Sequence, residues 1–136
     1  MKFEETVYID ALPAKVYAAY RKVSSWPEWD PEVEFATLRD FSVGSKGHIK
    51  PKGAPKSKIK IIEATQNKSF TIECKLPLCK MHFKHVLHPT KDGTNVYNSV
   101  VFSGLFAPIF GRLIGQGISK TLPDSLRGLK NHLESR

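Results

Sequence analysis

The stretch APIFGRLIGQGISKTLPDSLRGLKNHLESR, residues Ala107–Arg136, decides how the rest of the chain must fold. Its large apolar residues recur at steps of three and four, which is the period of one face of an α-helix. These residues are Phe110, Leu113, Ile114, Ile118, Leu122, Leu126, Leu129 and Leu133. A helix with a single apolar face has to bury that face against another layer. We therefore predict one long C-terminal helix that is gripped by a curled sheet, with a space left between them.

Small residues and a proline interrupt the pattern of this helix. Gly111, Gly115 and Gly117 lie in its first half, where each glycine costs about 1 kcal/mol relative to alanine. Such glycines either let the helix pack closely on the sheet or leave room for a cavity beneath it. Pro123 lacks a backbone N–H, so we expect it to kink or interrupt the helix near Leu122.

Length and composition favour a single domain, residues 1–136, with its own core. The N-terminal sequence MKFEETVYID is acidic and alternating, unlike a signal peptide. No apolar run approaches the roughly 20 residues that span a bilayer, so we expect a cytoplasmic protein. Cys74 and Cys79 are too few for a disulfide scaffold, and we expect both to be reduced thiols.

The net charge is +8, and one lysine-rich segment carries much of it. No acidic residue lies between Asp40 and Glu63, a stretch with lysines at positions 46, 50, 52, 56, 58 and 60. Such a segment can attract an anionic membrane or nucleic acid. It lacks the aromatic residues that stack on single strands and the arginines that favour specific recognition. We expect a solvated lysine hairpin and no specific nucleic-acid partner, and we keep a basic membrane-binding or nucleic-acid-binding surface as an alternative.

Alternation of polar and apolar residues predicts the strands. The first is Lys2–Ile9, and a helix follows near Pro13 with Asp10 as its N-cap. A short helical turn is expected before Pro31, with Ser25 as its cap. Six further strands are predicted at Val33–Thr37, His48–Lys50, Lys56–Thr65, Ser69–Leu76, Cys79–His88 and Thr94–Ser103. Short turns between consecutive strands indicate an antiparallel sheet, and therefore an α+β two-layer domain.

Several motifs, in this order and spacing, resemble one known superfamily. They are the strand-to-helix opening Ile9–Val16, the Trp-x-x-Trp-x-Pro element Trp26–Pro31, the glycine-marked turn Val43–Gly47, the hairpin Asp92–Thr94 with the strand end Val100–Gly104, and the helix end Leu122–Lys130. The chain is similar to the START-like superfamily, also described as the SRPBCC or Bet v 1-like helix-grip fold. Within it, the chain resembles the polyketide cyclase/dehydrase-type branch. The individual motifs are loose, but together they cover nearly the whole chain.

This resemblance implies a helix-grip fold in which a seven-stranded antiparallel sheet wraps around the C-terminal helix and encloses an apolar cavity. Members of the superfamily bind lipids, sterols, polyketides or hormones, and some are enzymes. The implied function is therefore binding of a small hydrophobic molecule, such as a lipid, polyketide, aromatic or isoprenoid compound, without a cofactor. The alternative is a polyketide cyclase or dehydratase, because a fold by itself does not settle function.

Three histidines lie in one predicted strand, at positions 82, 85 and 88. Side chains alternate across a strand, so His82 and His88 share one face and His85 points to the other. Three ligands cannot converge from that arrangement, and we expect no metal site. Glu28, Asp30 and Glu32 lie in a loop that we expect to be exposed, so we assign them no catalytic role.

The polar pair His85 and Asn98 is the main candidate for ligand contact. Both share the apolar faces of their strands, and counting outward from the Asp92-Gly93 turn brings them close across the ladder. Either their polar atoms find hydrogen-bond partners within the core, or they offer hydrogen bonds to a ligand. As an enzyme, His85 would be the acid or base and Asn98 would hold an enolate oxygen.

Aromatic and aliphatic residues complete the predicted site. Tyr17, Tyr20, Trp26 and Trp29 are expected near the mouth of the cavity, unless they serve core packing. The predicted ligand-binding residues are Tyr17, Tyr20, Trp29, Ile72, Phe83, His85, Asn98, Val100, Phe102, Phe110, Ile114, Ile118 and Leu122.

Overall fold

The computed structural model describes residues 2–135. Its elements are β1 (Lys2–Ile9), α1 (Pro13–Arg21), a 3-10 helix (Val23–Glu28), β2 (Val33–Leu38), β3 (Lys46–Pro51), β4 (Ser57–Thr65), β5 (Ser69–Leu76), β6 (Cys79–Pro89), β7 (Thr94–Ser103) and α2 (Ala107–Glu134). The strands form one antiparallel sheet in the order β1-β7-β6-β5-β4-β3-β2. This confirms the predicted α+β helix-grip architecture. The predicted helix end at Arg136 lies outside the described residues.

A bulge in β4 changes which of its residues face the core. Ile59 and Ile61 point inward and are 4% and 0% exposed. The register then shifts between Ile61 and Glu63, and Glu63 turns to the outer face of the sheet. There its carboxylate accepts hydrogen bonds from the hydroxyls of Ser69 and Thr71. The extra residue keeps a carboxylate out of the core and increases the local twist of the sheet.

The C-terminal half of α2 is held firmly. Three leucines on its inner face are almost fully buried: Leu126 (1% exposed), Leu129 (0%) and Leu133 (6%). Lys130 Nζ donates to the carbonyl of Tyr8, and the carboxylate of Glu134 accepts the backbone N–H of Asp10, both at 2.8 Å. These contacts fasten the last turns of α2 to the end of β1.

The first half of α2 is seated less deeply. Phe110, Ile114 and Ile118 face the sheet but are only partly buried. Leu113, which the apolar stripe placed on the inner face, is 75% exposed, so that prediction is wrong. The prediction fails because a glycine, and not Leu113, lies on the inner face at this level of the helix. Gly115 is buried, and the ring of Phe3 occupies the space where a Cβ at Gly115 would project. This glycine therefore serves close packing.

Three local predictions about helix caps and a helix break need correction. Asp10 does not cap α1, whose N-cap is Leu12 without a side-chain hydrogen bond. Ser25 lies inside the 3-10 helix, which begins at Val23, and its hydroxyl donates to a backbone carbonyl. Pro123 does not interrupt α2, which runs through it, and the alternative of a kink near Leu122 stays a prediction. Among residues 2–135, no helix is both long and apolar enough to cross a membrane.

The packing of α2 on the loop before β2 can be tested at two of its glycines. A Cβ at Gly128 would overlap the carbonyl oxygen of Trp29, whereas a Cβ at Gly117 would meet nothing within 4 Å. We expect Gly128→Ala to lower the free energy of unfolding by about 1–3 kcal/mol, because backbone must move. Gly117→Ala should raise it by up to about 1 kcal/mol through helix propensity. Urea titrations measure both, and equal stability of the two variants would contradict this packing.

Candidate functional site

An aromatic cluster lies on the inner face of the sheet beneath α1. The ring of His85 stacks on Phe70, with centroids 4.0 Å apart and planes 6° from parallel. Tyr20, from α1, meets His85 edge-on at 5.2 Å and Trp29 at 5.7 Å. Tyr20 thereby joins the strand residues to the loop that follows the 3-10 helix. Edge-to-face and stacked arrangements are the favoured geometries of such rings.

His85 and Asn98 lie directly opposite each other in the β6–β7 ladder. This confirms the pairing that the sequence predicted from the Asp92-Gly93 turn. Asn98 is 6% exposed, and the Nδ1 atom of His85 is buried although the residue as a whole is only partly buried. The two polar side chains therefore share one patch of an otherwise apolar inner face.

Three buried polar atoms of this cluster have no hydrogen-bond partner among residues 2–135. They are Trp29 Nε1, His85 Nδ1 and Asn98 Oδ1. The neighbouring Trp26 shows the ordinary situation, since its Nε1 donates to the carbonyl of Tyr20 at 2.9 Å. Buried polar groups in folded proteins nearly always find a partner, in protein, water or ligand. Asn98 lies close enough to the Tyr20 hydroxyl, and His85 to the backbone of Phe70 and Phe83, to affect the pKa values of Tyr20 and His85, so this part of the interior is polar but incompletely hydrogen-bonded.

The cluster disfavours charge. Burial lowers the pKa of His85 to about 4, so its ring is neutral at neutral pH. Burial also raises the pKa of Tyr20, which keeps its hydroxyl protonated. A neutral imidazole offers one donor and one acceptor, but with such a low pKa it is a weak base near neutrality.

Asp30 belongs to this region, although the sequence placed it on an exposed loop. It is half-buried, and its Oδ1 accepts hydrogen bonds from the Ser125 hydroxyl at 2.8 Å and the Glu32 N–H at 2.9 Å. Burial raises the pKa of its carboxyl group. The available signal was its position directly after Trp29, whose burial draws the loop inward. Glu28, by contrast, is exposed as expected.

The other predicted site residues divide into two groups. Tyr17, Ile72, Val100 and Phe102 are fully buried in the core. Five are partly buried: Phe83, Phe110, Ile114, Ile118 and Leu122. The helix α2 packs chiefly along β1 and β7 and touches β6 much less, and Leu122 lies on its β1 side.

Burial favours the core-packing alternative for the four aromatic residues, and their place at a cavity mouth stays a prediction. Tyr17, Tyr20, Trp26 and Trp29 are 2%, 3%, 5% and 8% exposed, and they contact one another or Phe70 edge-on or tilted. These side chains pack in the core, because α1 and the 3-10 helix cover this side of the sheet.

Two of the clefts at the surface bear on the sequence predictions. The larger, of about 920 Å³, lies at β2–β5. Its cationic lining residues are Arg39, Lys46, Lys56, Lys58, Lys60 and Lys75. None of these six forms an ion pair within residues 2–135. The smaller, of about 280 Å³, lies where Phe3 of β1 meets Leu122 and Pro123 of α2.

Two of the three strand histidines face away from the cluster, as the alternation predicted. His82 contacts the carboxylate of Glu73 at 2.9 Å on the outer face, and His88 is exposed. Within residues 2–135 there is no group of three potential metal-ligating side chains. Cys74 and Cys79 are free and buried.

Comparison with known families agrees with this architecture. A family model described as polyketide cyclase / dehydrase and lipid transport matches residues 1–134. The chain belongs to this family. No curated protein shows a significant sequence match to it.

Solved structures share the fold of this family member at low sequence identity. The protein MLL2253 from Mesorhizobium loti is 20% identical with a TM-score of 0.78, over 98% of this chain and 97% of that one. Truncated norcoclaurine synthase from Thalictrum flavum is 14% identical with a TM-score of 0.77, over 100% and 94%. The di-domain ARO/CYC StfQ from the steffimycin biosynthetic pathway is 16% identical with a TM-score of 0.76, over 98% of this chain and 50% of that one.

The buried state of His85 predicts a pH dependence of stability. Its pKa is about 4 in the folded chain against 6.5 ordinarily, so the unfolded chain takes up a proton first as pH falls. The free energy of unfolding is therefore highest above about pH 6.5, where the ring is neutral in both states. It falls by up to about 3 kcal/mol as the pH is lowered toward about 4. His85→Phe, which preserves the stacking on Phe70, should lack this loss in urea titrations. His88→Gln, at an exposed position, should keep the wild-type dependence of the free energy of unfolding on pH. Parallel pH profiles for wild type and His85→Phe would mean that the His85 ring is solvated in the folded chain.

Proposed function

We propose that this chain binds a small hydrophobic molecule, such as a lipid or polyketide, between the first half of α2 and the inner face of β5–β7. The observation that carries the proposal is the set of three partnerless buried polar atoms, on Trp29, His85 and Asn98, within an apolar and aromatic surround. Mostly apolar walls with a few convergent polar groups are the usual composition of a small-molecule site.

The uneven seating of α2 supports access to this place. The inner face of its last turns is buried to within a few per cent, whereas Phe110, Ile114 and Ile118 remain partly accessible. Contacts that are already incomplete are the ones that separate at least free-energy cost. A ligand would enter by lifting the first half of α2 from β6, while the anchored second half stays in place.

The chemistry of the cluster favours an uncharged ligand with a polar group at one end. Trp29 Nε1 donates a hydrogen bond, Asn98 Oδ1 accepts one, and His85 Nδ1 does either according to its tautomer. A hydroxyl or a carbonyl on an apolar body suits this set. A carboxylate does not, because the same burial that holds His85 neutral also raises the pKa of Asp30.

The catalytic alternative draws on the same side chains but fits them less well. It requires His85 to exchange a proton during turnover, and a pKa of about 4 makes its ring a poor base at neutral pH. Binding without turnover is therefore the function we propose for this site.

A panel of uncharged polyketides, sterols and isoprenoids tests the proposal by thermal shift and tryptophan fluorescence. A ligand that binds should raise the melting temperature in proportion to its occupancy. Asn98→Ala should weaken binding by up to about tenfold, the value of one hydrogen bond. Asn95→Ala, three residues earlier on the same strand and outside the cluster, should leave binding unchanged.

A second pair of variants tests the location. Ile114→Trp adds bulk on the partly buried inner face of α2, and Gln116→Trp adds the same bulk on its exposed face. Only Ile114→Trp should abolish binding. Equal binding by the two variants would place the ligand elsewhere, and a panel without any stabilising compound would refute the proposed function.

A further inference from the structure

The turn between β5 and β6 contains a leucine in an unfavourable setting. Leu78 has a φ of 52°, in the left-handed region, and its side chain is 60% exposed. That backbone position normally holds glycine or asparagine, and a leucine there costs roughly 1–2 kcal/mol. The only other non-glycine residue with positive φ within residues 2–135 is Asn67, which tolerates it. The chain therefore accepts both backbone strain and apolar exposure at Leu78.

Further exposed apolar side chains adjoin this turn. The backbone N–H of Phe106 donates to the carbonyl of Leu78 at 3.0 Å, which joins the β7–α2 corner to the β5–β6 turn. Leu105 precedes that residue, and the outer face of α2 continues the stripe at four-residue steps. The exposed fractions are 76% for Leu105, 54% for Ile109 and 75% for Leu113. We call Leu78, Leu105, Ile109 and Leu113 the apolar tip.

Cations outnumber acids around the apolar tip. Lys75 and Lys80 pair in the β5–β6 ladder immediately behind the turn, and Arg112 lies beside Leu113 on α2. The segment 74–123 contains a single acidic residue, Asp92. That residue lies in the β6–β7 turn, at the opposite end of β6. Glu73 lies just outside this segment, close to Lys75 and Lys80 on the outer face of the sheet, so the surroundings of the apolar tip carry a net positive charge but not a uniform one.

We propose that the apolar tip docks on a membrane surface that contains anionic lipid. The leucines and the isoleucine would enter the boundary between head groups and acyl chains, and the cations would face the lipid phosphates and carboxylates. The positive surroundings complement an anionic bilayer, and protruding apolar side chains gain nothing from nucleic acid. The proposal does not rest on the proposed ligand, although it would bring the loosely seated half of α2 against the bilayer.

Co-sedimentation with vesicles tests this docking. Wild-type protein should bind vesicles of phosphatidylcholine with phosphatidylserine, more weakly at high salt, and should bind pure phosphatidylcholine poorly. Leu78→Asn is the sharpest variant, because asparagine suits the left-handed turn. It should weaken binding several-fold while the free energy of unfolding stays the same or rises. Leu12→Asn is the matched control, since Leu12 is 64% exposed at the opposite end of the sheet.

Charge variants measure the electrostatic contribution to vesicle binding separately from the apolar one. Lys75→Gln and Lys80→Gln should each weaken vesicle binding by about fivefold, as expected for one lysine near an anionic surface. Lys22→Gln, an exposed lysine after α1, should have little effect.

Three results would each overturn the proposal. The first is no vesicle binding by the wild type at low salt. The second is unchanged binding by Leu78→Asn and by Leu105→Asn, which would reduce the interaction to charge alone. The third is a concentration-dependent dimer that Leu105→Asn dissociates in sedimentation velocity experiments, which would make a second copy the occupant. The ligand panel uses no vesicles, so failure of docking and failure of the proposed function remain distinguishable.

Discussion

The structure depends on one constraint: a 28-residue amphipathic helix has to bury its inner face against a sheet that curls. The last turns of α2 meet that constraint through fully buried leucines and through Gly128, where the helix backbone approaches the carbonyl of Trp29. Because these contacts tie α2 to β1 and to the loop before β2, they close the sheet at one end.

The other half of the helix meets the same constraint incompletely. Its inner face alternates glycines with Phe110, Ile114 and Ile118, and its outer face exposes Leu113. A helix seated firmly at one end and loosely at the other can open locally while the rest of the domain stays folded. The proposed ligand site and the proposed membrane contact both belong to this looser half, on opposite faces of the helix.

Low polarity of the interior gives the candidate site its character. The same desolvation lowers the pKa of His85 and raises that of Tyr20, so both side chains are neutral near pH 7, and it also raises the pKa of the Asp30 carboxyl group. With neutral groups, recognition rests on hydrogen bonds and apolar contact. Such a site suits a hydrophobic ligand with one small polar group better than it suits acid–base catalysis.

The sequence alone determined the strand and helix order, the family resemblance and the pairing of His85 with Asn98, because periodicity and turn residues are local signals. It did not reveal the half-burial of Asp30, the outward turn of Glu63 or the exposure of Leu113. Each of these depends on how elements distant in the chain pack together: a loop drawn against α2, a bulge in β4, and the rotation of α2 about its axis. Local patterns do not encode such rotations and bulges, and only the tertiary structure decided them.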